Sequence, residues 1–475
     1  MASLAGISNF YKLPDLRRRV FFTLGMLAVY RIGVFVTTPG VDRNQMKAFV
    51  AGQSGGLIGF FNLFSGGALE NMSIFALGIM PYISASIIMQ LMGMVYAPIA
   101  EMRKEGEAGR RKIDQYTRYG TIALSLFQSF GIARMLEGIS GQDGAAGVVT
   151  NPGVPFQLMT MITLTTGTAF LMWVGEQITE RGISNGISML IFASILTAIP
   201  PAVGNYFTSN AGDLQPLNLA LFVVALVLMI STVVFFENGR RQIPIVYSRR
   251  QVGRRIYGTQ NTHLPLKVNV AGTIPPIFAS SLLQFPATLQ SFHIPYFDHI
   301  IGIINRGGWL FNTLYASLIV FFCFFYTNIT FQAVDVAENL KKQSANIPGI
   351  RPGKQTADYI YSVVQRITVG GAAYVAGICV LTDLVAAFLL NTQMTYWGTS
   401  LMIVCGVALD TANQIEAHLI TRNYEGLSGG GGARVRARRY TTETSPILNP
   451  SLASSTSSGS SASAGRPSKN EEDES

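Results

Sequence analysis

The stretch GIRPGK at residues 349–354 has the look of a phosphate-binding loop. A phosphate-binding loop has four residues between its glycines, then a Lys and a Ser or Thr whose hydroxyl holds magnesium. Here three residues separate Gly349 from Gly353, and Gln355 follows Lys354 where the hydroxyl should be. HExxH and dinucleotide-binding glycine patterns do not occur. Cys323, Cys379 and Cys405 lie in apolar stretches without CxxC or metal-ligand spacing, and read as small core hydrophobes. His263, His293, His299 and His418 fall in loops or at the ends of apolar stretches. The expectation is a protein that is not an enzyme, holds no metal and uses no cofactor. If it moves something large, the motor is another protein.

The elements that carry these residues are set by hydropathy. The chain is 49% hydrophobic and 13% charged, with mean hydropathy +0.33, against about 25% charge in a soluble domain. Its apolar residues fall in blocks of about 19–25, enough to cross a hydrocarbon core of roughly 30 Å. Ten spans are predicted: about 20–38, 73–96, 119–136, 154–175, 184–207, 214–236, 268–290, 309–329, 367–390 and 395–415. The first block has no small-residue cleavage site and reads as a span, not a leader. An arm over 1–19 precedes it. The halves are then 20–207 and 208–425, and a Gly/Ser-rich tail over 426–475 is expected to be disordered.

Of the 35 Lys and Arg, 30 lie in the arm, the tail and alternate connections on one side. Three lie on the other side, and Arg31 and Arg134 sit inside spans. The positive-inside rule puts both termini in the cytoplasm. Three cytoplasmic connections are long and basic: 97–118, 237–267 and 330–366. The second contains GRRQIPIVYSRRQVGRR, whose alternating apolar residues between Arg pairs suggest an exposed hairpin with a cationic tip. Such a tip suits docking to a protein or an RNA.

Two segments repeat. IMPYISASII (79–88) and IPPIFASSLL (274–283) lie in the second span of each five-span half, each preceded by a glycine, Gly78 and Gly272. A repeat after an odd number of spans is inserted upside down, and paired Gly/Pro-interrupted segments in inverted repeats point to a transport path. The prolines are expected to kink both helices, and their Ala and Ser residues to allow close approach and parting. Coupled transport usually needs Asp, Glu or His near the midplane, yet neither segment has an ionisable residue. Arg31, Asp383 and Asp410 lie within other spans, and Arg134 and Glu176 near span ends. The competing reading, a small-solute secondary transporter with inverted repeats, therefore lacks its coupling group. A channel without a charged filter closes through a narrow aliphatic ring. Ile79 and Ile83 share a helix face, and Ile277 is their counterpart in the repeat. FNLFSGGALENMS at 61–73 is an anomaly of length, too short to span and too apolar for a loop.

Several long stretches together resemble the SecY family, the channel subunit of the bacterial protein-export translocon. They are FNLFSGGAL, SIFALGIMPYISASII, RKEGEAGRRKIDQYTRYGT, FLMWVGEQITERGISNGIS, NTHLPLKVNVAGTIPPIFASS, FFCFFYTNITF and ENLKKQSANIPGIRPGKQTADYI, in family order from about residue 10 to about 425. The resemblance implies an all-α polytopic membrane protein. Its ten transmembrane helices form two inverted five-helix halves, a clamshell around an hourglass pore, with a short plug helix. It also implies a pore ring of Ile79, Ile83, Ile191, Ile277 and Ile403, of which residue chemistry alone finds three. The lateral gate falls near Ile87, Ile88 and Gln90 in the second span, Gln128 in the third, and Ser281, Leu282 and Gln284 in the seventh.

The implied plug covers about 57–71, with Leu57, Phe60, Phe61 and Phe64 as its apolar face. Gly66 and Gly67 let the chain turn, and Asn62 and Ser65 are expected to leave it removable. Arg254, Arg255 and Arg351 match docking arginines for a ribosome or the SecA ATPase. Gln242 replaces a further family arginine, with Arg241 beside it as a substitute. Implied partners are the SecE and SecG subunits, SecA, the ribosome and its RNA, the translocating polypeptide with its signal sequence, and membrane lipid. The implied setting is the bacterial inner membrane.

Overall fold

A computed structural model describes residues 14–52, 59, 62, 64–140, 148–209, 216–247, 251–252, 255–256, 262–290, 309–390 and 397–429. Residues 1–421 form one compact unit, and 422–475 are a second, described only as helical backbone to Gly429.

The first half contains α1 (Pro14–Gly33), α2 (Arg43–Gly52), α3 (Met80–Val95), α4 (Ala97–Lys104), α5 (Glu107–Ser140), α6 (Val154–Arg181) and α7 (Gly186–Ser209). The second contains α8 (Pro216–Asn238), strands β1 (Arg240–Tyr247), β2 (Gln251–Val252), β3 (Arg255–Ile256) and β4 (Thr262–Lys267), then α9 (Ile274–Gln290) and α10 (Trp309–Thr330). It continues with α11 (Ala333–Lys342), β5 (Ala345–Asn346), α12 (Lys354–Leu390) and α13 (Trp397–Gly429). Ten of these helices, α1, α3, α5 to α10, α12 and α13, correspond to the ten predicted spans.

Val154–Arg181, Ala220–Asn238, Leu310–Lys342 and Lys354–Val385 are long and apolar enough to cross a bilayer alone, and α3 qualifies jointly with α4 across a 102° bend. Gly186–Pro201 of α7 and Ile274–Leu283 of α9 are apolar but shorter, and α1, α5 and α13 carry more polar residues. In the first half α5 packs on α3 and α6, α6 on α7, and α1 on α6 and α7. In the second, α12 packs on α8, α10 and α11, and α9 on α10. Between the halves α9 lies against α3 and α5.

Two spans depart from expectation in the same way. Residues 73–79 and 268–273 belong to apolar blocks but are turns, not helix. Gly78 has φ +57° and Gly272 φ +64°, a left-handed backbone that favours glycine. In each case the helix starts two residues later, at Met80 and Ile274, with a proline next, Pro81 and Pro275. The prolines therefore start these helices instead of kinking them. A first-turn proline loses an N–H that has no intrahelical partner anyway, and its φ is already helical. Matching the two helix starts shifts the repeat register by one residue. Pro81, Ile83, Ala85, Ser86 and Gln90 then fall on Pro275, Ile277, Ala279, Ser280 and Gln284, all identical.

The helices also outrun the apolar blocks. Helix α5 extends twelve residues before the expected start of the third span, and α12 thirteen before that of the ninth. Their charged first turns remain helical while leaving the bilayer.

The chain is mostly helical; among the described residues the strands form a three-stranded sheet, β4–β1–β5, and a two-stranded one, β2–β3. Strand β1 pairs antiparallel with β4, Ile243 opposite Leu264, and with β5, Val246 opposite Asn346. The 237–267 connection is thus a long hairpin, continued by the β2–β3 pairing of Val252 with Arg255. Strand alternation buries Ile243 and Ile245 with Leu266, Leu340, Ala345, Ile347, Ile360 and Val364. The two basic connections therefore share one core. Gln242 and Arg241 are both exposed. Adjacent strand residues face opposite sides, so Arg241 is not a positional substitute for an arginine at 242.

Candidate functional site

The five ring candidates come from four helices of both halves. Ile79 is the residue before α3, and Ile83 lies in its first turn; Ile191 is in α7, Ile277 in α9 and Ile403 in α13. Each is at most 8% exposed, and all belong to one contiguous apolar cluster. Phe64 and Ala68, from the anomalous short segment, belong to the same cluster. Among the described residues no Asp, Glu, Lys, Arg or His is buried.

That segment ends in a specific piece of backbone chemistry. Residues 62 and 64 are helical, Gly66 has φ +67° and the Gly67 N–H donates to the Asn62 carbonyl at 2.8 Å. A six-to-one bond across a left-handed glycine is a Schellman helix end. The paired glycines therefore stop a helix and turn the chain. Asn62 and Ser65 bond within the segment. Asn62 Oδ1 accepts from the Glu70 N–H at 2.9 Å, Ser65 Oγ donates to the Asn62 carbonyl at 3.1 Å, and Asn71 Nδ2 donates to the Gly67 carbonyl at 2.8 Å. The polar side chains knit residues 62–71 into a compact base. Leu57, Phe60 and Phe61 lie outside the described residues.

This base is also held from outside by residues that the sequence did not link to it. The Tyr30 hydroxyl donates to the Ser65 carbonyl at 2.8 Å and lies 2.6 Å from Ser194 Oγ. Arg31 Nη1 donates to the Gly66 carbonyl at 2.7 Å, with Thr197 Oγ1 at 3.4 Å. Arg43 Nε donates to Asn71 Oδ1 at 2.8 Å. The one sequence signal was Arg31, a charge inside an apolar block.

The gate candidates lie on α3, α5 and α9, and α9 packs on the other two. Ile87, Gln128 and Ser281 are buried, while Ile88 and Leu282 are exposed and occupy matching repeat positions. Gln90 Nε2 donates to Ser86 Oγ at 3.3 Å. Gln90 Oε1, Gln128 Oε1 and Ser281 Oγ are buried without a hydrogen-bond partner. Each such atom costs about 1–3 kcal/mol, and the three lie on the helices that meet where the halves touch. Gln284 is helical, and its side chain lies outside the described set, as does that of Arg255. Arg254 is outside the described residues. Arg351 is exposed in the turn before α12, its carbonyl accepting from Thr356 Oγ1 at 2.8 Å.

Fold and site together define a polytopic membrane protein of two five-helix halves, joined across an apolar cluster and a seam with unsatisfied polar atoms. Residues 73–412 match the SecY family model. The chain is 48% identical over 419 residues to the protein translocase subunit SecY of Escherichia coli strain K12, covering 87% of this chain and 94% of that protein. Among solved structures, it resembles a SecY channel described as held closed and sealed by its plug domain, with TM-score 0.65 and 15% identity over 89% of this chain and 99% of that one. It also resembles Sec61 in a canine ribosome–channel complex, with TM-score 0.61, 15% identity and the same coverage. This chain belongs to the SecY family.

Proposed function

We propose that this chain is the protein-conducting channel subunit of a membrane translocase. Unfolded secretory polypeptides pass through its centre and transmembrane segments leave sideways into lipid. It carries out no bond chemistry, and an external motor or the ribosome supplies the drive. The observation that carries this reading is the single buried cluster that unites Ile79, Ile83, Ile191, Ile277 and Ile403 from both halves. A short aliphatic ring contacts a passing chain weakly and without sequence preference, and closes to ions by excluding water.

In this reading the segment around 57–71 is a displaceable plug, with Phe64 against the ring. The α3–α9 seam, with α5 beside it, is the lateral gate. Its three unsatisfied oxygens keep the closed contact weak enough for a signal sequence to part it. The sheet-supported hairpin bearing Arg254 and Arg255, and the Arg351 turn, are the docking surface for the ribosome or the SecA ATPase. SecE and SecG are the expected small partners, in a bacterial inner membrane with both termini cytoplasmic.

The test is reconstitution of the chain, with its co-purifying subunits, in liposomes. Addition of SecA and ATP is expected to carry a precursor protein into a protease-protected space. Gradient-driven uptake of a small solute with no protein translocation would reject the proposal in favour of a secondary transporter.

A further inference from the structure

We infer that Tyr30 and Arg31, with Ser194, form a latch that holds the plug base in the closed channel; this rests on the plug reading above. The Schellman end at Gly66 leaves the carbonyls of Ser65 and Gly66 without helical donors. Two consecutive residues of α1 supply them. Tyr30 donates to the first and Arg31 to the second. The Ser65 carbonyl can only accept, so the single phenolic proton goes to it; Ser194 Oγ, which also donates to the Leu190 carbonyl at 2.8 Å, shares its proton between that carbonyl and the phenolic oxygen. The Arg31 cation faces the negative end of the short helix, the favourable sign for a helix C-terminus. Its guanidinium also lies 5.0 Å from the Phe35 ring centre, which fixes its direction.

The fixed side of the latch is rigid, because α1 packs directly on α7, the helix that carries Ser194. The moving side fits without slack. A Cβ at Gly66 would stand 3.0 Å from Ser194 Cα and 3.1 Å from Tyr30 Oη. Tyr30, Ser65 and Ser194 are all at most 3% exposed, so water does not replace these bonds while the plug is seated. Their loss therefore weighs on the seated state. The latch residues lie in α1 and α7, outside the α3–α9 seam. They are positioning residues that set how readily the plug leaves; Tyr30 shares the apolar cluster of the ring candidates, and Ser194 follows Ile191 by three residues on α7.

The test measures idle ion conductance of the full reconstituted complex in four variants, Tyr30→Phe, Ser194→Ala, Arg31→Met and Arg31→Lys, each also made with residues 60–70 deleted. Removing one neutral hydrogen bond shifts such a balance about fivefold. Tyr30→Phe and Ser194→Ala are expected to raise idle opening about that much, Arg31→Met more, and Arg31→Lys to recover most of the closure. In the deleted background none of the four should add anything. Tyr30→Phe and Arg31→Met with wild-type conductance would overturn the latch, as would equal increases in the deleted background, which mean general loosening. The deletion by itself reports on the plug: if it leaves the channel ion-tight, the plug reading fails, and the latch with it.

Discussion

Ile83 and Ile277 are equivalent residues in the two halves. Each stands two places after a buried first-turn proline and five after a left-handed glycine, and both lie in the same apolar cluster. A helix that begins in the middle of an apolar block places its first-turn side chains deep within the membrane layer. With the halves inserted in opposite senses, two such helix starts meet from opposite sides. The repeat thus accounts for the position and the residue type of these two ring candidates.

That equivalence predicts matching phenotypes. Asn in place of either isoleucine puts an amide into a site with no partner, at about 1–3 kcal/mol against the closed state. Ile83→Asn and Ile277→Asn are each expected to raise idle ion conductance by roughly 5- to 100-fold in planar bilayers. Ile→Leu at the same positions should stay near wild type, because volume and polarity are kept.

The seam makes the opposite prediction. Gln128→Leu and Ser281→Ala remove buried polar atoms that have no partner, which stabilises the closed contact. Export of precursors with weakly hydrophobic signal sequences should fall several-fold, while strongly hydrophobic ones are little affected. Pulse-chase export assays with a graded signal series read this directly.

The glycines separate backbone strain from crowding. Gly272 has φ +64° and open space where a Cβ would stand. Gly272→Ala should therefore cost only the left-handed penalty of about 1–2 kcal/mol. Gly66→Ala adds contact with the Ser194 backbone and should lower the thermal midpoint of the purified complex further than Gly272→Ala does.

Docking through the hairpin should be electrostatic. Arg254→Glu with Arg255→Glu is expected to weaken ribosome or SecA binding at least tenfold at low salt and less at high salt, since exposed charges are screened. Sedimentation at two salt concentrations measures it. The bundle should be unaffected, because the hairpin rests on its own core of Ile243, Ile245 and Ile360.

The ten spans were legible because block length and the Lys/Arg bias are direct consequences of the bilayer. Helix ends were not: hydropathy reports where lipid lies, so the charged first turns of α5 and α12 were invisible to it. Gly78 and Gly272 stand out in the sequence, but a proline beside them suits a kink as well as a helix start, and hydropathy does not choose between the two. Anchoring the repeat on Ile79 and Ile274 instead of on the glycines put its register off by one. Tyr30 and Ser194 were missed because 164 residues separate them, and a buried hydroxyl pair has no sequence period. Arg31 was visible only as a misplaced charge, without its partner.

The central claim, that the chain passes through the isoleucine cluster, is tested most directly by crosslinking. Single cysteines at positions 79, 83, 191, 277 and 403, in a background lacking Cys323, Cys379 and Cys405, are placed opposite a precursor stalled in mid-export. Cysteines at the exposed Val224 and Phe235 of α8 are the outward-facing controls. Crosslinks to the stalled chain from all five ring positions and neither control are predicted. Crosslinks from the α8 positions and none from the ring would contradict the account.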